Sequence, residues 1–130
     1  MPRKTSPVLT DAELRIMDVL WERGESTVAD AVKALSKRTP LAYNTVLTTT
    51  RILEKKGYVT HRQEGRAFVY RPLVDRQAVR RSTVRHLLSR LFDDSPELLV
   101  LNVLETEEVD MTEVKRLKRL LDASGTEEKA

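Results

Sequence analysis

The sequence predicts a mostly α protein with a small β-hairpin wing: a winged helix-turn-helix followed by a three-helix C-terminal dimerisation element. Three observations carry this reading. Residues 41–72 read as a helix running through a glycine into two strands joined at a second glycine. Two amphipathic segments with their own start and stop signals precede that stretch, and three helical segments follow it, one of them apolar almost all round.

Residues 1–7 are polar, with Pro2 and Pro7, and read as a flexible arm. Thr10 and Glu13 have capping-box spacing, and Leu14, Met17, Leu20 and Trp21 then form the inward stripe of a helix ending near Gly24. On this reading Trp21 is core. A second helix starts at Ser26 or Thr27, with Asp30 as cap partner and Val28, Ala31, Val32 and Leu35 as its apolar face. Thr39-Pro40 breaks the chain before a third helix, because the residue before proline is pushed out of helical conformation. That third helix spans about 43–56: Val46, Leu47, Thr50 and Leu53 recur at helical spacing, and Gly57 can take the left-handed conformation that stops a helix.

Residues 58–63 and 66–71 are rich in aromatic, β-branched and alternating residues and read as two strands, with Glu64-Gly65 between them. Glutamate is unfavourable in a mirror-image turn. The expectation is therefore a bulged or slightly longer loop with Gly65 at positive φ. Pro72, lacking an amide donor, closes the second strand.

Asp75 then caps a helix whose stripe is Val84, Leu87, Leu88, Leu91 and Phe92, with Arg81 and Arg85 projecting elsewhere. Asp93-Asp94-Ser95-Pro96 punctuates the chain, with Ser95 as cap and Pro96 at the first helical position. The next segment, 98–104, has no polar face, and such a helix needs cover on more than one side. A second copy of the chain is the most economical cover; the alternative is packing on the winged helix of the same chain. A last helix opens around 110–113 and carries Val114, Leu117, Leu120 and Leu121 at helical spacing. The expected organisation is a DNA-binding domain at 8–74, a helical dimerisation domain at 75–123, and flexible termini at 1–7 and 124–130. Leu87, Leu91, Leu98, Leu101, Leu104, Leu117, Leu120 and Leu121 are the candidate dimer residues.

On the third helix Asn44, Thr48, Arg51 and Lys55 line the side away from the apolar stripe, with Thr45 beside them. Amides, hydroxyls and guanidinium groups are what reads base edges in a major groove. Asn44, Thr45, Thr48 and Arg51 are therefore the candidate base readers, and Tyr43, Lys55, Arg62 and Arg66 the candidate backbone contacts, the last two flanking the hairpin tip. Phosphate contacts of that kind position a module without specifying sequence. Charge agrees: residues 1–92 hold 18 Lys/Arg against 9 Asp/Glu, whereas residues 93–130 hold 5 against 11. A basic front and an acidic tail fit a DNA module joined to a part that avoids DNA. The competing reading is a winged helix that binds protein rather than DNA.

Catalysis finds no support. The chain lacks cysteine, and its two histidines, His61 and His86, have no H-E-x-x-H spacing. No serine sits in a nucleophile elbow and no glycine-rich phosphate loop occurs. No catalytic residue, metal site or cofactor is expected. With no apolar run of membrane-spanning length and no secretory apolar region at the start, the chain reads as cytoplasmic, without membrane insertion.

Three stretches, LTDAELRIMDVLWERG at 9–24, YNTVLTTTRILEKKGYV at 43–59 and EGRAFVYRPLV at 64–74, resemble the BlaI/MecI penicillinase repressors. LLVLNVLETEEVDMTEVKRLKRLLD at 98–122 is a weaker match to the same family. The resemblance implies a homodimeric repressor, with N-terminal winged helices on a dyad operator in double-stranded DNA and entwined C-terminal helices. It also implies a membrane-bound sensor protease as a partner, which triggers cleavage in the C-terminal part and so removes dimerisation. The family's scissile Asn-Phe bond matches Asn102-Val103, and Val103 departs from the pattern. Thr50 departs too, standing where the family has an inward leucine, and implies a looser core. The cysteine-rich tail of the copper-responsive relatives is missing.

Overall fold

A computed structural model describes the backbone of residues 8–129 and the side chains of residues 8–124. The arm expected at 1–7 lies outside the described residues. The chain forms two compact units that divide between His86 and Leu87.

In the first unit, α1 (Asp11–Arg23) opens on a complete capping box: the Glu13 amide donates to Thr10 Oγ1 at 3.1 Å, and the Thr10 amide donates to Glu13 Oε1 at 2.8 Å. Two backbone donors that the helix leaves orphaned are thereby satisfied. Strand β1 (Ser26–Thr27) leads directly into α2 (Val28–Leu35), whose Asp30 amide donates to Thr27 Oγ1. Helix α3 (Tyr43–Lys55) is followed by β2 (Val59–Glu64) and β3 (Ala67–Pro72). It ends at Gly57, φ +85°, with the Gly57 amide bonded to the Glu54 carbonyl and the Tyr58 amide to the Leu53 carbonyl. This pair of bonds is the Schellman arrangement, and the positive φ it requires is what a glycine supplies without strain.

The three strands form one antiparallel sheet in the order β1-β3-β2. The sequence reading contains only β2 and β3. A two-residue strand carries no periodicity, and β1 is defined by its partners Val69 and Tyr70 more than forty residues away. The hairpin turn also differs from expectation. Glu64 pairs with Ala67 as the last rung of the ladder, so the connection is the two residues Gly65-Arg66. Gly65 has φ +62°, while Arg66 is not among the positive-φ residues. Glycine at the first central position followed by an ordinary residue is the type II′ pattern, which matches the twist of paired strands. The chain thus avoids glutamate in a mirror-image turn by moving the turn one residue on, with no bulge.

The core joins five of these elements: Ile16, Met17 and Leu20 from α1, Val28, Ala31 and Leu35 from α2, Val46 and Leu53 from α3, Val59 from β2 and Tyr70 from β3. Thr50 is buried among them, its hydroxyl donating to the Val46 carbonyl at 2.6 Å. Beside it lies a void of about 10 Å³ lined by Ile16, Leu20, Ala31 and Tyr70, among others. Glu13 is buried too, and the Lys56 ammonium reaches its Oε2 at 2.8 Å. Burial pushes the Glu13 carboxyl up, but Lys56 and the Thr10 amide outweigh it and hold the group below its ordinary value.

Trp21, expected in the core, is half-buried at the edge of this unit. Its indole donates to the Val74 carbonyl at 2.9 Å, and the Arg76 guanidinium lies 5.1 Å from its ring centre. Helix α4 (Arg76–Leu91) is capped by Asp75, which accepts from the Ala78 amide at 2.6 Å. Val79 of α4 is buried, and Arg76 pairs with Asp18. The first compact unit runs to His86, with the first turns of α4 held against α1 through Trp21.

The second unit contains α5 (Pro96–Thr106) and α6 (Met111–Lys129). Ser95 accepts from the Leu98 amide at 3.1 Å, with Pro96 in the first turn, as expected from the sequence. Helix α6 continues to Lys129. A lone Gly125 costs a helix only about 1 kcal/mol and does not terminate it. Asp93 and Asp94, between α4 and α5, both have positive φ, with the Asp94 amide bonded to the Leu88 carbonyl. Among the described residues no helix is long and apolar enough to cross a membrane.

Candidate nucleic-acid interface

Helix α3 presents a continuous polar surface. Its apolar stripe, Val46 and Leu53 with Thr50, is fully turned into the core. Tyr43, Asn44, Thr45, Thr48, Arg51 and Lys55 are all exposed on the remaining circumference. Seven buried apolar residues of α1 and α2 share the core with the helix, so these side chains stand proud on a rigid element rather than on a loop. Its first turn has no side-chain cap and no acidic residue. The amides there are left for an outside acceptor, and an anion is the acceptor a helix N-terminus favours.

The sole acid of α3, Glu54, is turned toward the wing. Its Oε2 lies 2.6 Å from His61 Nδ1 on β2, and the imidazole sits 4.8 Å from the Phe68 ring and 5.2 Å from the Tyr70 ring. This contact ties the end of α3 to the hairpin. The sequence alone marks His61 only as a histidine without a catalytic partner. The available signal was its place directly across from an aromatic strand residue, seven positions after a glutamate.

The hairpin arginines differ from each other. Arg66 occupies the second turn position at the tip, exposed and without an ion pair among the described residues. Arg62, expected as its counterpart, is occupied. Its Nη1 and Nη2 grip both oxygens of Glu25 at 2.6 and 3.0 Å, and Nη2 also reaches Glu64 at 3.0 Å. The Arg62 hydrogen bonds, followed by its charge, hold the Glu25 carboxyl below its ordinary value, and Glu25 in turn raises the Arg62 guanidinium further. Arg51 and Lys55, like Arg66, form no ion pair among the described residues.

In the second unit none of the candidate dimer residues is buried within one chain. No residue of α5 is buried, and Leu98, Leu101, Leu104, Leu117, Leu120 and Leu121 are all exposed, Leu121 to 72%. Leu87 and Leu91 are exposed as well. An open groove of about 550 Å³ runs between α5 and α6, lined by Leu99, Val103, Leu104, Leu117 and Leu120 among others. Asn102 lies within α5, its side-chain amide donating to the Leu98 carbonyl at 3.0 Å and its carbonyl accepting from Thr106 Oγ1 at 2.7 Å. The Asn102-Val103 bond is therefore helical and becomes extended only if α5 unwinds.

Comparison with known proteins gives this arrangement a lineage. The chain is 32% identical over 119 residues to the penicillinase repressor of Bacillus licheniformis, covering 92% of this chain and 93% of that one. It is 35% identical over 114 residues to the transcriptional regulator BlaI of Mycobacterium tuberculosis, covering 87% and 82%. The solution structure of the DNA-binding domain of the repressor BlaI superposes with a TM-score of 0.50 at 38% identity, covering 57% of this chain and 90% of that one. The penicillinase repressor model matches residues 9–123, which take in both the polar face of α3 and the exposed leucines of α5 and α6. On that match across nearly the whole chain, the protein belongs to the penicillinase repressor family.

Proposed function

We propose that the protein is a homodimeric, sequence-specific DNA-binding transcriptional repressor that occupies a dyad operator in the cytoplasm. The observation that carries the reading is the exposed, acid-free face of α3 beside a wing-tip arginine that forms no ion pair among the described residues. Asn44, Thr45, Thr48 and Arg51 face base edges in the major groove. Tyr43, Lys55 and Arg66 contact phosphates on either side. The relatives named above, a penicillinase repressor and a BlaI regulator, support the same assignment.

Repression on this reading needs two copies. One winged helix makes few contacts, whereas joined modules bind with the second event nearly intramolecular, a gain of roughly 10²–10⁴. The exposed leucines of α5 and α6 supply the joint. Cleavage at Asn102-Val103 by a membrane-bound sensor protease would relieve repression by dividing α5 and so removing that joint.

The test is Leu120→Glu in the full chain, which places a charge in the α5–α6 groove while leaving the N-terminal core untouched. The expected outcome is a monomer in analytical ultracentrifugation, with operator affinity reduced by roughly 10²–10⁴. A monomeric variant that binds operator as tightly as the wild type would remove the dimer from the mechanism.

A further inference from the structure

We infer that Glu25 is a positioning residue for DNA binding: it holds Arg62 across the sheet, setting the root of the wing, and so keeps Arg62 out of the phosphate contacts. The inference rests on the DNA-binding reading above.

The wing is only partly supported by the rest of the sheet. β1 pairs with Val69 and Tyr70 alone, so beyond Val69 the hairpin is a two-stranded ribbon. Such a ribbon is marginal by itself in water. Val69 marks the root of the free part, paired with Thr27 on one side and Arg62 on the other. Glu25, two residues before Thr27, reaches Arg62 from the far side of β3 and so bridges the width of the sheet at that root. Fork-to-fork contact of a guanidinium with a carboxylate fixes direction as well as distance. A glutamate there restrains the swing of β2, and with it the position of Arg66 at the tip.

The same contacts occupy Arg62. Three hydrogen bonds run from its terminal nitrogens to carboxylates, two to Glu25 and one to Glu64. Arg71 lies close enough to Glu25 to favour its ionised form. Two carboxylates and two guanidinium groups leave this patch with no surplus positive charge. Arg66, with no carboxylate partner among the described residues, is the wing residue that remains for phosphate.

Salt dependence separates a strut from a phosphate contact, because each phosphate neutralised by a cation adds about 0.9 to the slope of log K against log salt. The experiment is fluorescence-anisotropy titration of a mixed-sequence duplex with the full chain over a series of salt concentrations, with circular dichroism confirming the fold of each variant. Arg66→Gln is expected to lower the slope by about 0.9, and Arg62→Gln to weaken binding at every salt concentration with the slope unchanged. Charge exchange gives the second readout. Arg62→Glu alone loses affinity, and adding Glu25→Arg, which restores the wild-type net charge and the pair, recovers it to within about twofold. A slope reduced by about 0.9 in Arg62→Gln, or an exchanged pair no better than Arg62→Glu alone, overturns the assignment. Salt-independent or absent binding by the wild-type chain overturns the DNA-binding reading itself, and the role of Glu25 with it.

Discussion

Lys56→Met tests the contact that locks the foot of α3 to the start of α1. The Glu13 side chain is 3% exposed and that of Lys56 20%, with 2.8 Å between Nζ and Oε2. Methionine keeps the length and apolar stem of lysine but leaves Oε2 without a donor. Breaking a buried pair from one side costs about 3–5 kcal/mol, since the remaining charge stays desolvated. Here the loss is smaller, about 2–3 kcal/mol, because Oε1 retains the Thr10 amide and Lys56 is partly solvated. Calorimetry should show it as a fall of roughly 4–8 °C in Tm per kcal/mol for a unit of this size.

The pH dependence gives a second, independent sign. In the wild type the Glu13 carboxyl is held below its ordinary value of 4.5, so the native state favours the ionised form. Its contribution is complete above pH 4.5 and is lost as pH falls through the lower native value. Without Lys56, only the Thr10 hydrogen bonds remain to oppose burial, so the carboxyl moves up from its wild-type position. The native preference for the ionised form is then smaller, and acidification removes less stability. Lys56→Met should therefore lose less stability than the wild type on going from pH 7 to pH 4, and Glu13→Gln combined with Lys56→Met should recover most of the loss at neutral pH. A cost below about 0.5 kcal/mol with an unchanged pH profile would show that the pair is ordinary surface electrostatics.

Three further outcomes are expected. Arg51→Ala should cost operator binding roughly 1–3 kcal/mol and relax preference at one base pair, whereas Arg66→Ala should weaken operator and random duplex alike; equal effects from both in competition titrations would contradict the division of labour. Thr50→Val should stabilise the N-terminal unit by roughly 0.5–1 kcal/mol in urea unfolding, since it replaces a buried hydroxyl bonded back to Val46 with a methyl beside the small void; a loss of stability would mean the hydroxyl is needed there. Melting of the full chain should be concentration-dependent in its C-terminal part and independent of concentration in its N-terminal part, measured by calorimetry over a hundredfold dilution; a single concentration-independent transition would rule out folding of α5 and α6 on a second copy.

What the sequence makes legible is what is decided locally. The Thr10-Glu13 box, the Thr27, Asp75 and Ser95 caps, and Pro96 in the first turn of α5 each depend on residues within four positions of one another. The polar face of α3 follows from its own periodicity. What the sequence does not show are partners fixed only by the closed fold: β1 against β3, Lys56 on Glu13 across 43 positions, and Glu25 on Arg62 across 37. Arg62 illustrates the consequence for function. Its place in the hairpin suggested a phosphate contact, and only the folded chain shows two carboxylates already on it. The hairpin turn lies between these cases, because the local rule against glutamate is correct while its solution, a shift of one residue, depends on how the two strands register.

The contrast between the two units gives the proposed C-terminal regulation a physical basis. The N-terminal unit has a core drawn from five elements and holds the C-terminal end of α3 twice, at the Schellman turn and through Glu54 to His61. Helices α5 and α6, by contrast, bury no large apolar side chain among the described residues, and the turn before α5 holds two aspartates at positive φ, a conformation L-residues adopt at a cost of about 1–2 kcal/mol. Such a segment gains its stability from whatever covers it. If the cover is a second copy, folding of α5 and α6 and dimerisation are one equilibrium, and any agent that opens α5 shifts both together. Operator affinity then responds to an event far from the base-reading residues while each winged helix remains folded, so a reader of fixed structure is switched through its partner.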